Sequence, residues 1–217
     1  MKQITKFWNW FQDNEEAIKN AVALGINTEE VILHLNRNCN YISKRIQFLI
    51  NIHSNNQGKY TIIFTAAGYR KLFPKIIALE EQAPVLKYFI PQAFIKPMQN
   101  LMEYKKGTDL PCVYENYKIK ISDLQMVLKD YNVNTKQLKI KLYIPNYEEI
   151  KQFENFEIDL KYSLMIIIGE IAFKKHIKHI EYAQLQNDEI GLLSVIELPE
   201  FIDYLYKINS RQKTRLL

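Results

Sequence analysis

Read at about 100° per residue, the start of the chain places Ile4, Phe7, Trp8, Phe11, Ile18 and Val22 on one stripe, the mark of a helix laid on a core. Trp10 lies on the flank of that stripe, and Glu15 falls within it. Asp13 and Glu16 have capping-box spacing. The pattern therefore predicts a short helix to about residue 12, a restart near Asp13 and a second piece to Leu24. A further helix follows, with Asn27 as its cap, Glu30 at its third position, and Ile32, Leu35, Cys39 and Ile42 on its apolar face.

The period then changes to two. Ile46, Phe48, Ile50 and Ile52 alternate, the polar run "SNNQGK" intervenes, and Tyr60, Ile62 and Phe64 alternate again, which predicts a β-hairpin with a long loop. Gly68 ends the second strand. Phe73-Pro74 opens a helix with Leu72, Ile76, Leu79 and Ala83 on its apolar side, and Ala83-Pro84 stops it. Tyr88 to Ile95 reads as a strand, and Pro91 within it demands an edge or a bulge.

Residues 98–111 have weak periodicity and read as a connection. Beyond them, Val113–Tyr117 and Lys118–Ile121 are strand-like. Leu124, Met126 and Leu128 alternate, as do Leu138, Ile140, Leu142 and Ile144. A helix is predicted from Gln152 to Ile168, bearing Phe153, Phe156, Leu160, Leu164 and Ile167 on one side, with Gly169 as a left-handed stop. Ile177 to Leu185 reads as a strand, and Pro199 opens a last helix through Tyr206, leaving "NSRQKTRLL" as a frayed tail. Both halves read hairpin, helix, strand. The expected class is α+β: one unit over residues 1–217 with two related halves, 1–97 and 112–217, joined by 98–111, and antiparallel sheets backed by helices.

Composition changes this picture little. The chain has 217 residues, a hydrophobic fraction of 47% and a formal charge of +5, within the ordinary range for a globular protein. Such a charge helps a polyanion to bind without requiring one. Cys39 and Cys112 show no paired spacing, which favours two thiols in a reducing compartment over a disulfide. The opening residues lack the pattern of a secretory leader, and the apolar run Leu164–Ile168 is too short to span a bilayer. A cytoplasmic location without membrane insertion is expected.

The order "FWNWF", "FTAAGYRKLFPKIIALEEQAPVLKYFIPQAFIKP" and "LKYSLMIIIGE" resembles a group of stand-alone bacterial proteins of uncharacterised function. The resemblance covers nearly the whole chain. In that group a tryptophan usually follows the Ala-Pro step, where Tyr88 and Phe89 stand here. The shared positions are aromatics, glycines and prolines, so the resemblance implies a fold and neither a substrate nor a catalytic residue.

Candidate chemistry is sparse. His176 and His179 are three apart, whereas two histidines on one helix face normally sit four apart and zinc wants further ligands; Glu170 and Glu181 are the only obvious additions. No GxSxG, GxxxxGK[ST] or GxGxxG occurs. Cys39 falls on an apolar helix face, where burial makes a thiol inert, and His34 or His53 approaches a thiol only through tertiary structure. The pairs Glu80-Glu81, Glu148-Glu149 and Asp188-Glu189 stand side by side, as on solvated surfaces, and acid–base work needs convergence in a cleft. No catalytic, cofactor-binding or metal-ligating residue is assigned, and no cofactor is expected.

Two binding readings remain. Lys118, Lys120, Lys139 and Lys141 alternate with apolar residues; on neighbouring strands they would form a basic sheet face able to contact phosphates, which Lys174, Lys175, Lys178 and the basic tail could extend. The plainer reading of the same residues is a solvated outer face. Protein–protein contact is favoured, with an immunity-like or regulatory role as its sharpest form. In that reading Phe7, Trp8 and Phe11 plug a core. Trp10 either packs beneath the helix from Asn27 to Ile42 or presents its indole to a partner protein.

Overall fold

The apolar stripe at the start of the chain does form a helix, α1 (Lys2–Asp13), and it buries Ile4, Phe7, Trp8 and Phe11. The computed structural model describes residues 2–51, 58–114, 116–186 and 191–214. The chain divides into two compact units, Met1–Ile95 and Lys96–Leu217. The sequence-predicted Ile52, His53, Asp188 and Glu189 and the last three residues of the tail lie outside the described residues.

In the first unit α1 stops where the apolar stripe meets Glu15. Asn14 leaves helical geometry (φ −112°, ψ 8°), and its backbone N–H and its side-chain amide both donate to the Trp10 carbonyl. The chain restarts as α2 (Glu15–Leu24). The Asp13–Glu16 capping box does not form: Asp13 is still the last residue of α1, and Asn14 occupies the cap of α2 without a side-chain capping bond to that helix. Gly25, at φ +69°, closes α2 in the left-handed conformation that glycine adopts without strain.

The next helix is α3 (Thr28–Ile42). Its inward face is Val31, Leu35, Cys39 and Ile42, while Ile32 is 45% exposed. The true stripe is one residue out of phase with the expected one at this end. Strands β1 (Gln47–Ile50) and β2 (Tyr60–Thr65) then pair antiparallel. A 3₁₀ turn at Arg70–Leu72 leads into α4 (Phe73–Glu81), with Pro74 in its first turn. The third strand, β3 (Phe89–Ala93), joins β2 in parallel and lies at the edge of a β1-β2-β3 sheet, the position that Pro91 requires.

The second unit begins with the segment read as a connection. Residues 98–111 carry a short helix, α5 (Met102–Lys105), and are anchored inside this unit. The Met98 N–H donates to the Ile166 carbonyl, the Lys105 ammonium lies 2.7 Å from Glu200, and buried Asp109 accepts from the Ser122 N–H. Strands β4 (Cys112–Val113) and β5 (Lys118–Ile119) form a separate two-stranded ribbon. After a 3₁₀ turn at Ile121–Asp123, β6 (Gln125–Asn132) and β7 (Gln137–Ile144) make the second hairpin.

A short helix, α6 (Tyr147–Ile150), precedes the helix expected from Gln152, which itself starts only at Phe156 as α7 (Phe156–Ile168), leaving Phe153 in the turn region between the two. Gly169 does not adopt the left-handed helical stop. At φ +80° and ψ 150° it occupies a region essentially reserved for glycine, and it redirects the chain at once into a further helix, α8 (Glu170–His176). Strand β8 (Ile177–Gln184) lies parallel to β7, and β9 (Leu193–Ser194) pairs with β6, giving the order β8-β7-β6-β9. Ser194 and Glu197 form a true capping box around the turn that precedes α9 (Leu198–Thr214). That helix runs to Thr214 rather than ending at Tyr206.

The α+β class holds, and the two main sheets share one connectivity: hairpin, helix, third strand. Their third strands join parallel rather than antiparallel. Both sheets are therefore mixed, as a helical crossover between neighbouring strands permits.

Candidate functional site

The two tryptophans of α1 have different environments. Trp8 is 2% exposed, and its indole N–H donates to the Leu79 carbonyl at 3.0 Å. Its ring meets Phe7, Phe11 and Phe64 edge-on, with centroids 4.9–5.7 Å apart, a favoured aromatic geometry. Phe11 continues the cluster to Phe89. Glu15, the misfit of the stripe, is buried with its carboxylate accepting the Tyr88 N–H at 2.5 Å. A buried carboxylate is tolerated when it is hydrogen-bonded.

Trp10 is half-buried. It leans on the core through Phe7, at a centroid distance of 6.3 Å, and its indole N–H has no hydrogen-bond partner among the described residues. Beside it lies a cavity of about 420 Å³, walled by Trp10 on α1, Ala17 and Ile18 on α2, Ile26 in the turn and Val31 on α3. Asn14, Asn20, Asn27, Glu30 and His34 supply its polar atoms. The carboxylate of Glu30 lies 3.8 Å from His34, and both side chains are substantially exposed, 68% and 46%. Leu24, Ile26 and Leu33, on the same helices and turn, are also exposed. The site is small and concave, with a mainly apolar wall and a few polar groups, which is the usual form of a ligand or side-chain pocket. Trp10 thus packs partly against the core and partly lines an open groove.

The four lysines are not on neighbouring strands. Lys118 lies on β5, in the two-stranded ribbon, and Lys120 follows it. Lys139 and Lys141 lie on β7, in the four-stranded sheet. Lys120 donates to the Gly107 carbonyl at 2.6 Å and, with Lys118, lines a cavity of about 220 Å³. Lys139 is 2.9 Å from Asp130, whose carboxyl is held below the usual range by that ammonium. Lys141 is opposite Glu181 on β8 and sits 4.7 Å from the centre of the Tyr143 ring. The expected basic row is therefore split between two sheets, and on β7 it is interleaved with carboxylates.

His176 closes α8 and is buried. Its Nδ1 lies 3.1 Å from the Lys136 carbonyl, and its ring meets Tyr206 edge-on at 5.5 Å. His179 is exposed on β8, opposite Lys139. No group of three or more metal-ligating side chains occurs among the described residues. Both cysteines are free. Burial pushes the Cys39 thiol up to about 12, and burial followed by the Asp109 charge raises half-buried Cys112.

One polar cluster escaped sequence reasoning. The Tyr114 hydroxyl lies 3.2 Å from both the Asp159 carbonyl and Ser163 Oγ, and the Tyr117 hydroxyl donates to the Asp159 carboxylate. Tyr117 stacks on Phe153 at 5.3 Å. Burial first, and for Tyr117 then the Asp159 carboxylate, raise both phenols, Tyr114 to about 12. Nearby in sequence, Asp109 Oδ1 and Ser122 Oγ are buried without hydrogen-bond partners among the described residues. The only signal available earlier was the density of tyrosines, which does not reveal which hydroxyls meet.

No helix among the described residues is long and apolar enough to cross a membrane. The chain matches no family model, no curated protein and no solved structure.

Proposed function

We propose that this chain is a non-catalytic binding module that recognises another protein through the groove beside Trp10, acting as an immunity-like or regulatory partner in the bacterial cytoplasm. The observation that carries the reading is the contrast between the tryptophans. Trp8 spends its ring and its N–H on the core, whereas Trp10 has an N–H without a partner among the described residues and forms one wall of an open cavity. Tryptophan is the residue type most enriched at the energetic centres of protein interfaces, and exposed apolar side chains around such a pocket add contact area. Two unpaired thiols suit a reducing compartment.

The test is a capture from native lysate with wild-type protein and with Trp10→Ala, each with and without nuclease. Trp8 fluorescence checks that the variant is folded. The reading expects one protein held stoichiometrically by the wild type, insensitive to nuclease and lost with Trp10→Ala. Equal capture by a folded Trp10→Ala variant would remove the groove from the interface. A spread of ribosomal proteins that disappears with nuclease would instead favour phosphate contact by the lysines.

A further inference from the structure

The groove beside Trp10 has an electrostatic bias that narrows what it can take. Its lining contains one carboxylate, Glu30, one imidazole and three asparagines, but neither lysine nor arginine, although the chain as a whole carries a charge of +5. Glu30 has no ion-pair partner among the described residues except His34 at 3.8 Å, and its side chain is 68% exposed, so its oxygens remain accessible to a ligand. The same lining includes the Trp10 indole, an aromatic surface that attracts cations. In the same lining Ile26, which is exposed, and half-buried Val31 offer an apolar surface to a hydrocarbon stem.

We infer that the groove accepts a lysine or arginine side chain of the partner protein, its aliphatic stem on Ile26 and Val31, its cation held by Trp10 and Glu30. The inference rests on reading the groove as the docking site. Long basic side chains bury their stems while keeping the charged head at a polar rim, and complementary charge is what selects one partner over another. An acidic side chain would meet Glu30 with like charge. A purely apolar one would leave the carboxylate unused.

Indole ¹⁵N–H spectra test this directly, because the protein has only two tryptophans. Trp8, tied to the Leu79 carbonyl, serves as the internal control, and Trp10→Phe assigns the signals. The probes are n-butylammonium, n-butylguanidinium, n-butanol and valerate. The Trp10 signal should move saturably with the two cations, less with the alcohol and not with valerate, while Trp8 stays still. Glu30→Gln should weaken cation binding about two- to fivefold, as expected for a partly exposed ion pair. Equal shifts from n-butanol, no shift from any probe, or unchanged cation binding in Glu30→Gln would each overturn the inference. A partner captured through Trp10 but indifferent to Glu30→Gln would sink this inference and leave the binding reading standing; a partner indifferent to Trp10→Ala would sink that reading itself.

Discussion

The two units repeat one strand connectivity but fill their interiors differently. The first is built around rings: Phe7, Trp8, Phe11, Phe64 and Phe89 are all buried and meet mostly edge-to-face. Among the described residues its buried polar side chains are Glu15 and Thr65. The second is lined mainly by aliphatic residues, such as Ile121, Leu124, Ile140, Leu142, Leu160 and Leu164, and it buries Asp109, Ser163, Glu170 and His176. Aromatic contacts add directional preference to area burial, so the first unit fixes its helices on a short sheet with few polar constraints. The second relies on hydrogen-bonded polar groups among its aliphatic residues, where an unmade bond is costly. Trp10, like Phe48, Tyr60, Phe73 and Tyr88, is a ring of the first unit that this arrangement leaves partly buried at the rim.

The sharpest way to break the comparison is to remove a ring from the first interior. Trp8→Ala should cost about 3–5 kcal/mol of stability, the usual range for a large aromatic deleted from a packed site. Both tryptophans lie in the first unit, so Trp10 fluorescence during urea unfolding reads the loss there. Trp10→Ala, read by Trp8, should cost less than half as much. Equal losses would mean that Trp10 belongs to the core, and the distinction between plug and groove would collapse.

Next in size is the polar exception of the first unit. Glu15→Ala should cost about 1–3 kcal/mol, because the Tyr88 N–H loses its acceptor in a largely dry site. Urea midpoints of the two proteins measure it. An unchanged midpoint would mean that the carboxylate, despite its burial, contributes nothing net to joining α2 to the start of β3.

Glu15 also shows how far the sequence can be read. The break near Asp13 was legible, since a carboxylate in an apolar stripe contradicts a single straight helix. Its partner was not, because Tyr88 is 73 positions away and only the tertiary fold brings it there. The same limit explains the strands. Alternation at period two identified the hairpins, and Pro91 called for an edge or a bulge, but alternation is identical for parallel and antiparallel neighbours, so the joining of β3 and β8 could not be read. The lysines failed for a related reason: alternation places Lys118 and Lys139 on faces, and pairing decides whether those faces belong to one sheet. Of the candidate site, Trp10's departure from the stripe was visible, whereas the cavity depends on how α2 and the first turns of α3 close beside it.

The second unit offers a smaller test of its polar economy. Tyr114→Phe removes the hydroxyl shared by the Asp159 carbonyl and Ser163 and should cost about 0.5–1.5 kcal/mol, the net worth of an ordinary hydrogen bond. Ser163 retains its own bond to the Asp159 carbonyl at 3.1 Å, which keeps the loss at the lower end. Hydrogen exchange in α7 reads it. A loss as large as that of Trp8→Ala would show that the polar cluster, rather than the aliphatic residues, holds this interior together.

The smallest effect should be one of pH, at His176. Burial depresses its pKa, with Lys175 acting in the same direction and the Lys136 carbonyl and Asp203 opposing. Lys136 and Lys175 also approach the Tyr206 ring on α9, at 5.6 and 5.5 Å, against which the imidazole packs. A histidine with a depressed folded pKa favours the fold in its neutral form. Its contribution is therefore fully present above the ordinary histidine value of about 6.5 and is lost as pH falls through the lower folded value. Exchange protection of β8 and α9, corrected for intrinsic rates, should decline on acidification in the wild type and decline less in His176→Phe, which keeps a ring against Tyr206 without a titrating group. Parallel decline in the two proteins would show that His176 is tolerated in the interior without linking its stability to pH. The contrast between the two interiors would then lie in packing alone.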